Sequence, residues 1–325
     1  MNYNTELIKR TEKYLEENGI SKSKLAKLLD IGGSTLSEWM SEKYKGNVTD
    51  IEHKISEFLE RKKSAVIRRI DFVADTLNKI KIFDAIDTVQ DYIASANQQG
   101  ITESCKIGIV YGRAGLGKTK AVQEYVKQAA NCKLVTAQTG DNEKSILEKI
   151  CISAGIDTRG TSTAMKRNIL NSLKGKEIIL IIDESEHLRP KTIDIVRSIG
   201  DVTGVGIILV GTETLRDKLK STKNEYEYLY SRVVVASQVK ELSFDDVKLI
   251  TKTYLKGEEH EYKESEIDEL SKALKALCNG SARILSNLLT MSMKLCKMEN
   301  NLKISGGKLI PPFVEAAQQK VIIHL

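Results

Sequence analysis

The chain has 325 residues, 41% hydrophobic and 29% charged, with a net charge of +6. That length suits two or three domains, and the composition is that of a globular protein, not a disordered or fibrous one. It contains no apolar run near the roughly 20 residues that span a bilayer, and the opening MNYNTELIKR has no apolar core and does not read as a secretory signal.

Five cysteines (Cys105, Cys132, Cys151, Cys278, Cys296) are scattered without metal spacing. An odd count without C-x-x-C points to reduced thiols and a cytoplasmic location. Four dispersed histidines argue against a His-based metal site. The mild positive excess permits nucleic-acid binding without establishing it.

From Met1 to about Lys63 the apolar spacing predicts short helices. Thr5–Asn18 is the first, with Asn18-Gly19 as a stop, and Ser21 caps a second over Lys22–Leu29. Asp30-Ile31-Gly32-Gly33 reads as a tight turn, after which Ser34 or Thr35 opens a third helix carrying Leu36, Trp39 and Met40. Two short helices around a Gly-containing turn form the helix-turn-helix pattern. The stretch resembles the helix-turn-helix of phage repressors. That resemblance places Ser34, Thr35, Ser37 and Glu38 where base edges are met, with Lys43 and Lys45 near phosphates. The recognition helix has no arginine, so base readout is expected to be weak or absent. Leu25, Ile31, Leu36 and Trp39 are core positions. Val48–Leu59 is a further helix, and Arg61–Arg69 is a basic linker that either touches DNA or is a solvated charge run.

Residues 64–237 read as a nucleotide-binding core. Ile70–Ala96 is largely helical and leads into a strand, Ile107–Tyr111. The strand runs into Gly112-Arg113-Ala114-Gly115-Leu116-Gly117-Lys118-Thr119, a complete phosphate-binding loop in strand–loop–helix context. Its backbone N–H groups and the N-terminus of the helix Lys118–Ala130 face the phosphates. Lys118 reaches the β/γ-phosphates of ATP, and Thr119 ligates Mg²⁺. A strand over Lys133–Ala137 and helices over Asn142–Ser153 and Met165–Leu173 follow. Five apolar β-formers, Ile178–Ile182, then end in Asp183-Glu184, as a buried central parallel strand with carboxylates at its ligand-binding end does. In this Walker B pattern Asp183 holds Mg²⁺ through water and Glu184 polarises the attacking water. The next strand, Gly206–Val210, ends in Gly211-Thr212-Glu213. Alternating strands and helices imply an α/β three-layer P-loop fold with a parallel sheet. From residue 238 onward a run of helices is expected: Asp245–Leu255, Ser265–Leu277, Ala282–Met298 and Pro311–Val321, with a tail that either completes this layer or docks a partner.

The order of these motifs resembles the AAA+ ATPases. The resemblance implies that Thr212, with Glu213 as runner-up, senses the γ-phosphate. It implies that Arg232, ahead of a last core strand Val233–Ala236, is an arginine finger acting on a neighbouring subunit's nucleotide. It also makes the C-terminal helices a lid, in which Gly280-Ser281-Ala282-Arg283 is the second sensor and Arg283 contacts the phosphates. With the N-terminal helix-turn-helix, the whole chain resembles the phage Mu B type of target-selecting transposition ATPases. Proteins of that type assemble with ATP into filaments on double-stranded DNA, with little sequence preference. They deliver this target DNA to a transposase and activate strand transfer, and hydrolysis dissolves the filament. The resemblance implies a homo-oligomer, filament or ring, and a DNA-facing surface over Thr139–Arg167, with Lys144, Lys149, Arg159, Lys166 and Arg167 available for phosphate contact. A sequence-specific regulator, a replication initiator or helicase loader, and a signalling ATPase remain open alternatives.

Overall fold

The computed structural model describes residues 3–65, 72–99, 105–220, 231–256, 258, 260–298 and 304–321. It divides into two units, Met1–Arg69 with Met293–Gly307 and Ile70–Ser292 with Lys308–Leu325.

The first unit contains α1 (Thr5–Asn18), α2 (Lys22–Leu28), α3 (Gly33–Met40) and α4 (Val48–Ala65). Side-chain caps start three of them: Asn4 accepts the Leu7 N–H, Ser21 the Lys24 N–H and Asn47 the Asp50 N–H. The α2–α3 connection turns on Asp30, at φ 52°, and not on a glycine; Gly33 is the first residue of α3. Asp is one of the few side-chain-bearing residues that tolerate this left-handed conformation. Trp39 is fully buried among Leu25, Leu36 and Ile55, and its indole N–H donates to Glu52 Oε1 at 3.3 Å. A buried indole needs such a partner. The helix expected to stop at Leu59 continues to Ala65, so most of the expected basic linker up to that residue is helical; residues 66–71 lie outside the described set.

The second unit is built on five parallel strands: β1 (Ile107–Tyr111), β2 (Cys132–Thr136), β3 (Ile179–Asp183), β4 (Gly206–Gly211) and β5 (Val233–Gln238), in the order β2-β3-β4-β1-β5. β3 and β4 are buried along their whole length, as near-continuous Ile/Leu/Val runs require. One face is covered by α5 (Leu77–Gln98) and α6 (Lys118–Gln128), through Ile82, Ile86, Val89 and Val122. The other is covered by α7 (Glu143–Ala154), α8 (Ser162–Leu173), α9 (Pro190–Thr203) and α10 (Glu213–Lys220), through Ile146, Ile150, Ile169, Val196 and Leu215. The result is the expected three-layer α/β arrangement. All strands run the same way, so their C-terminal ends gather the phosphate loop and the Walker B carboxylates at one edge.

Then come α11 (Phe244–Leu255), α12 (Glu264–Leu277), α13 (Ala282–Cys296) and α14 (Pro311–Val321). α11 opens on a reciprocal capping box between Ser243 and Asp246. The tail completes this helical layer: Leu309, Phe313 and Val314 are buried, Lys308 pairs with both oxygens of Glu266 at 2.7 Å, and the Leu309 N–H donates to the Tyr262 hydroxyl. All five cysteines are free and buried. Burial, reinforced by Asp201, pushes the Cys105 thiol up to about 12. No helix among the described residues is long and apolar enough to cross a membrane.

Candidate functional site

β1 delivers the chain into the phosphate loop at the sheet's C-terminal edge. Gly115 and Gly117 adopt φ of +81° and +90°, where a Cβ is disfavoured. At Gly115 space forbids it too, because an added Cβ would lie 2.7 Å from Ser281 Oγ. Leu116 is buried in the α5–α6 layer and anchors the loop from below. Lys118 is the first residue of α6 and only 9% exposed. Its Nζ donates to the main-chain oxygens of Gly112 at 2.6 Å and Arg113 at 2.9 Å, so the ammonium is held on the loop's own carbonyls. Burial pulls the Lys118 ammonium below the usual lysine range, and Arg283 acts the same way, against the carboxylates of Glu186, Glu184 and Asp183. Arg113 ion-pairs with Glu241, in the segment leading to α11.

The Walker B carboxylates end β3. Asp183 is 1% exposed; its Oδ1 accepts the Glu184 N–H at 2.9 Å, while Oδ2 is buried with no hydrogen-bond partner among the described residues. Burial raises the Asp183 carboxyl above its usual range, and the nearby Thr119 hydroxyl and the Glu184 N–H oppose that. Glu184 sits in the left-handed region, φ 55° and ψ 36°. For a side-chain-bearing residue this costs about 1–2 kcal/mol. The N–H bond to Asp183 and the His187 N–H donating to the Glu184 carbonyl at 3.0 Å hold it there. Burial, then the charges of Glu186 and Asp183, raise the Glu184 carboxyl.

Lys118, Thr119 and Glu184 share one cavity of about 570 Å³, a size suited to a nucleotide. Its lining combines Gly115–Thr119, Glu184, Thr212 and Arg283 with the apolar residues Phe72, Val73, Ile82, Leu242 and Ile250. Apolar lining of this kind suits a flat heterocycle. The segment carrying Phe72 is fastened to the α11 side: Asn78 exchanges hydrogen bonds with the main chain of Lys240, and the Leu77 N–H donates to Asp246. The 280–283 turn is docked onto the loop, with the Arg283 N–H and the Ser281 hydroxyl donating to the Gly115 carbonyl at 3.1 and 3.3 Å. None of these apolar residues is singled out by the sequence. The sequence reading also passes over Glu186, whose Oε1 accepts the Thr212 N–H at 3.2 Å. A second acid three residues after Asp183 was the available signal.

Arg232 lies elsewhere. Its carbonyl accepts the N–H of Ile107, the first residue of β1, so it sits at the opposite end of the sheet from the loop, about 16 Å away at 3.3 Å per residue. Its guanidinium binds Asp201 through Nε at 3.0 Å and Nη2 at 3.2 Å, and Asp201 also accepts from Arg197 and the Cys105 N–H. Arg232 is thus not part of this chain's own cavity, and reaching a neighbour's nucleotide requires breaking the Asp201 pair.

The expected DNA-facing residues fall into two groups. Ser34, Ser37, Lys43 and Lys45 are exposed and Thr35 half-buried in the first unit. In the second, Lys144 and Arg167 are exposed and Lys166 half-buried. Lys149 serves the β2–α7 loop instead: it binds Asp141 at 2.7 Å and the Thr136 carbonyl at 3.1 Å. Burial alone would raise Asp141, but bonds from Lys149, the Gln138 N–H and Ser145 outweigh it and hold the carboxyl below its usual range. Arg159 is chelated by Asp157 two residues earlier.

The AAA domain family matches residues 101–219. The chain is 30% identical over 255 residues to the Mu-like prophage FluMu DNA transposition protein B of Haemophilus influenzae, covering 76% of this chain and 85% of that protein. It is 26% identical over 222 residues to the ATP-dependent target DNA activator B of Escherichia phage Mu, covering 66% and 67%. Among solved structures, the Aeropyrum pernix ORC2 protein superposes with a TM-score of 0.58 at 13% identity, over 80% of this chain and 72% of that one. Pyrobaculum aerophilum Cdc6p gives 0.58 at 14%, over 80% and 71%. These two likenesses concern the fold, which is the AAA+ P-loop fold. By its match to the Haemophilus protein, the chain belongs to the family of Mu-type DNA transposition B proteins, built on an AAA+ core.

Proposed function

We propose that this protein is an ATPase that assembles with ATP on target DNA, with little sequence preference, delivers that DNA to a transposase, activates strand transfer and disassembles on hydrolysis. The observation that carries the ATPase part is the single cavity shared by the phosphate loop, Glu184, Thr212 and Arg283. The printed names of the relatives support the DNA part. Residues 1–63 act as a helix-turn-helix module, 64–237 as the ATPase core and 238–325 as its lid and tail.

In this mechanism Lys118 leaves the carbonyls of Gly112 and Arg113 for the β/γ-phosphates, and backbone N–H groups of 112–119 cradle the remaining oxygens. Glu184 orients and polarises the attacking water, Thr212 senses the γ-phosphate and Arg283 closes over the phosphates. The Thr119 hydroxyl and Asp183, whose Oδ2 is buried and unpartnered among the described residues, fit Mg²⁺ and would hold it, where it would neutralise charge on the phosphate oxygens. Arg232, released from Asp201, serves as the finger for a neighbouring copy, so that γ-phosphate contributes to the subunit boundary and its loss weakens that boundary.

Phosphate contacts from Lys144, Lys166 and Arg167, with Ser34, Thr35, Ser37, Lys43 and Lys45 from the N-terminal unit, repeat along the assembly. Binding is therefore expected to fall about a hundredfold or more between 50 and 200 mM salt. Footprinting on random-sequence DNA with ATP should show continuous protection that follows this salt dependence. A discrete, salt-insensitive footprint would instead indicate a sequence-specific regulator or a replication initiator.

A further inference from the structure

The turn after β3 carries a second acid to which the hydrolytic mechanism above gives no task. Glu186 is only 9% exposed. Its Oε1 accepts the Thr212 N–H at 3.2 Å, and its Oε2 is buried without a hydrogen-bond partner among the described residues. That second oxygen is packed beneath the end of β4, where a Cβ added to Gly211 would lie 2.6 Å from it. The Glu186 main-chain carbonyl accepts from Lys218 of α10. Its carboxylate also exerts the largest single charge effect on both Lys118 and Glu184.

Burying a carboxylate with one hydrogen bond is costly, so the bond to Thr212 has to be made where it is useful. Its effect is local. β4 ends at Gly211, and the residue after it must leave the sheet with a free N–H. Glu186 takes that N–H and thereby fixes the backbone of Thr212, whose side chain lines the nucleotide cavity together with Glu184. The Lys218 bond to the same turn ties α10 to it as well.

We propose that Glu186 is a positioning residue for ATP hydrolysis, holding Thr212 at the cavity wall through its backbone N–H. This rests on the ATPase reading above. Glu186 touches no reacting atom, so its loss acts on turnover and not on nucleotide capture.

The test is steady-state ATP turnover, with kcat and KM separated, for the full chain and its Glu186→Ala, Glu186→Gln, Glu186→Asp, Thr212→Ala and Glu186→Ala/Thr212→Ala variants. Thermal melting is recorded on the same samples. Glu186→Ala is expected to lower kcat about tenfold or more, with KM within about twofold. Glu186→Gln keeps a carbonyl oxygen at the same reach and should recover most of that loss. Glu186→Asp keeps the charge but is one methylene short, and should not. The double variant should be no slower than Thr212→Ala, since Glu186 acts only through Thr212. An unchanged kcat with only a lower Tm would overturn the proposal, as would strict additivity, or Glu186→Asp outperforming Glu186→Gln. Should the Ala variant fail to fold, the Gln and Asp pair still decides. Absence of turnover in the unsubstituted chain would instead overturn the ATPase reading itself.

Discussion

Lys118→Ala is expected to lower ATP affinity about a hundredfold and to abolish ATP-dependent assembly on DNA. The side chain is a cation lining the cavity beside the phosphate loop, and it reaches that position from the first turn of α6. In the structure its Nζ is held by the carbonyls of Gly112 and Arg113, which are weaker partners than a phosphate anion. Removing one member of a close charge pair costs about 2–5 kcal/mol, which brackets a hundredfold change. Equilibrium titration with a fluorescent ATP analogue checks the affinity, and sedimentation with DNA checks assembly. The fold should persist, because Lys118 packs no core layer and Leu116, Ala121 and Val122 still anchor the loop and helix. Near-normal affinity for ATP would show that the loop is not the phosphate site.

Glu184→Gln is expected to leave ATP affinity within a few-fold while lowering turnover about a hundredfold or more, the usual contribution of a positioned acid–base group. The substitution is close to isosteric and keeps the left-handed backbone at φ 55° with its two bracing hydrogen bonds, so the geometry of the turn is preserved. What disappears is the carboxylate that polarises water. Assemblies formed by this variant should therefore outlast those of the unsubstituted chain on DNA, measured as retention after excess ATP is removed. Normal hydrolysis by Glu184→Gln would show that Glu184 is not the catalytic carboxylate.

The elements that carry chemistry were legible because each is local. The loop Gly112–Thr119 is a contiguous motif in its strand–loop–helix setting, and Ile178–Glu184 is an apolar run ending in two acids. The strand at Ile107–Tyr111 and the helix at Pro311–Val321 have the bounds that apolar spacing predicts. Two helices, α9 and α10, have no counterpart among the sequence expectations. α9 carries a usable signal in Pro190 at its first turn and in Ile193, Val196 and Ile199 at helical spacing. α10 is short and largely charged, and only two apolar residues, Leu215 and Leu219, mark its buried face.

What was not legible depends on residues far apart in the chain. The apolar part of the cavity lining joins Phe72 and Ile82 to Leu242 and Ile250, and no local pattern ties those segments together. The docking of Ser281 and Arg283 on the Gly115 carbonyl is equally long-range. So is the pair that occupies Arg232, whose partner Asp201 belongs to α9. Lys149 and Arg159 look available in a list of basic residues, and only the folded chain shows one bracing the β2–α7 loop and the other held by Asp157.

The central claim is that ATP, through the site at Lys118 and Glu184, decides whether this chain occupies DNA. Electron microscopy of the full chain with double-stranded DNA of arbitrary sequence, comparing ATP with ADP, tests it most directly. Continuous coverage with ATP and bare DNA with ADP is the predicted result. Equal coverage in both nucleotides, or isolated particles at fixed positions with ATP, would contradict it.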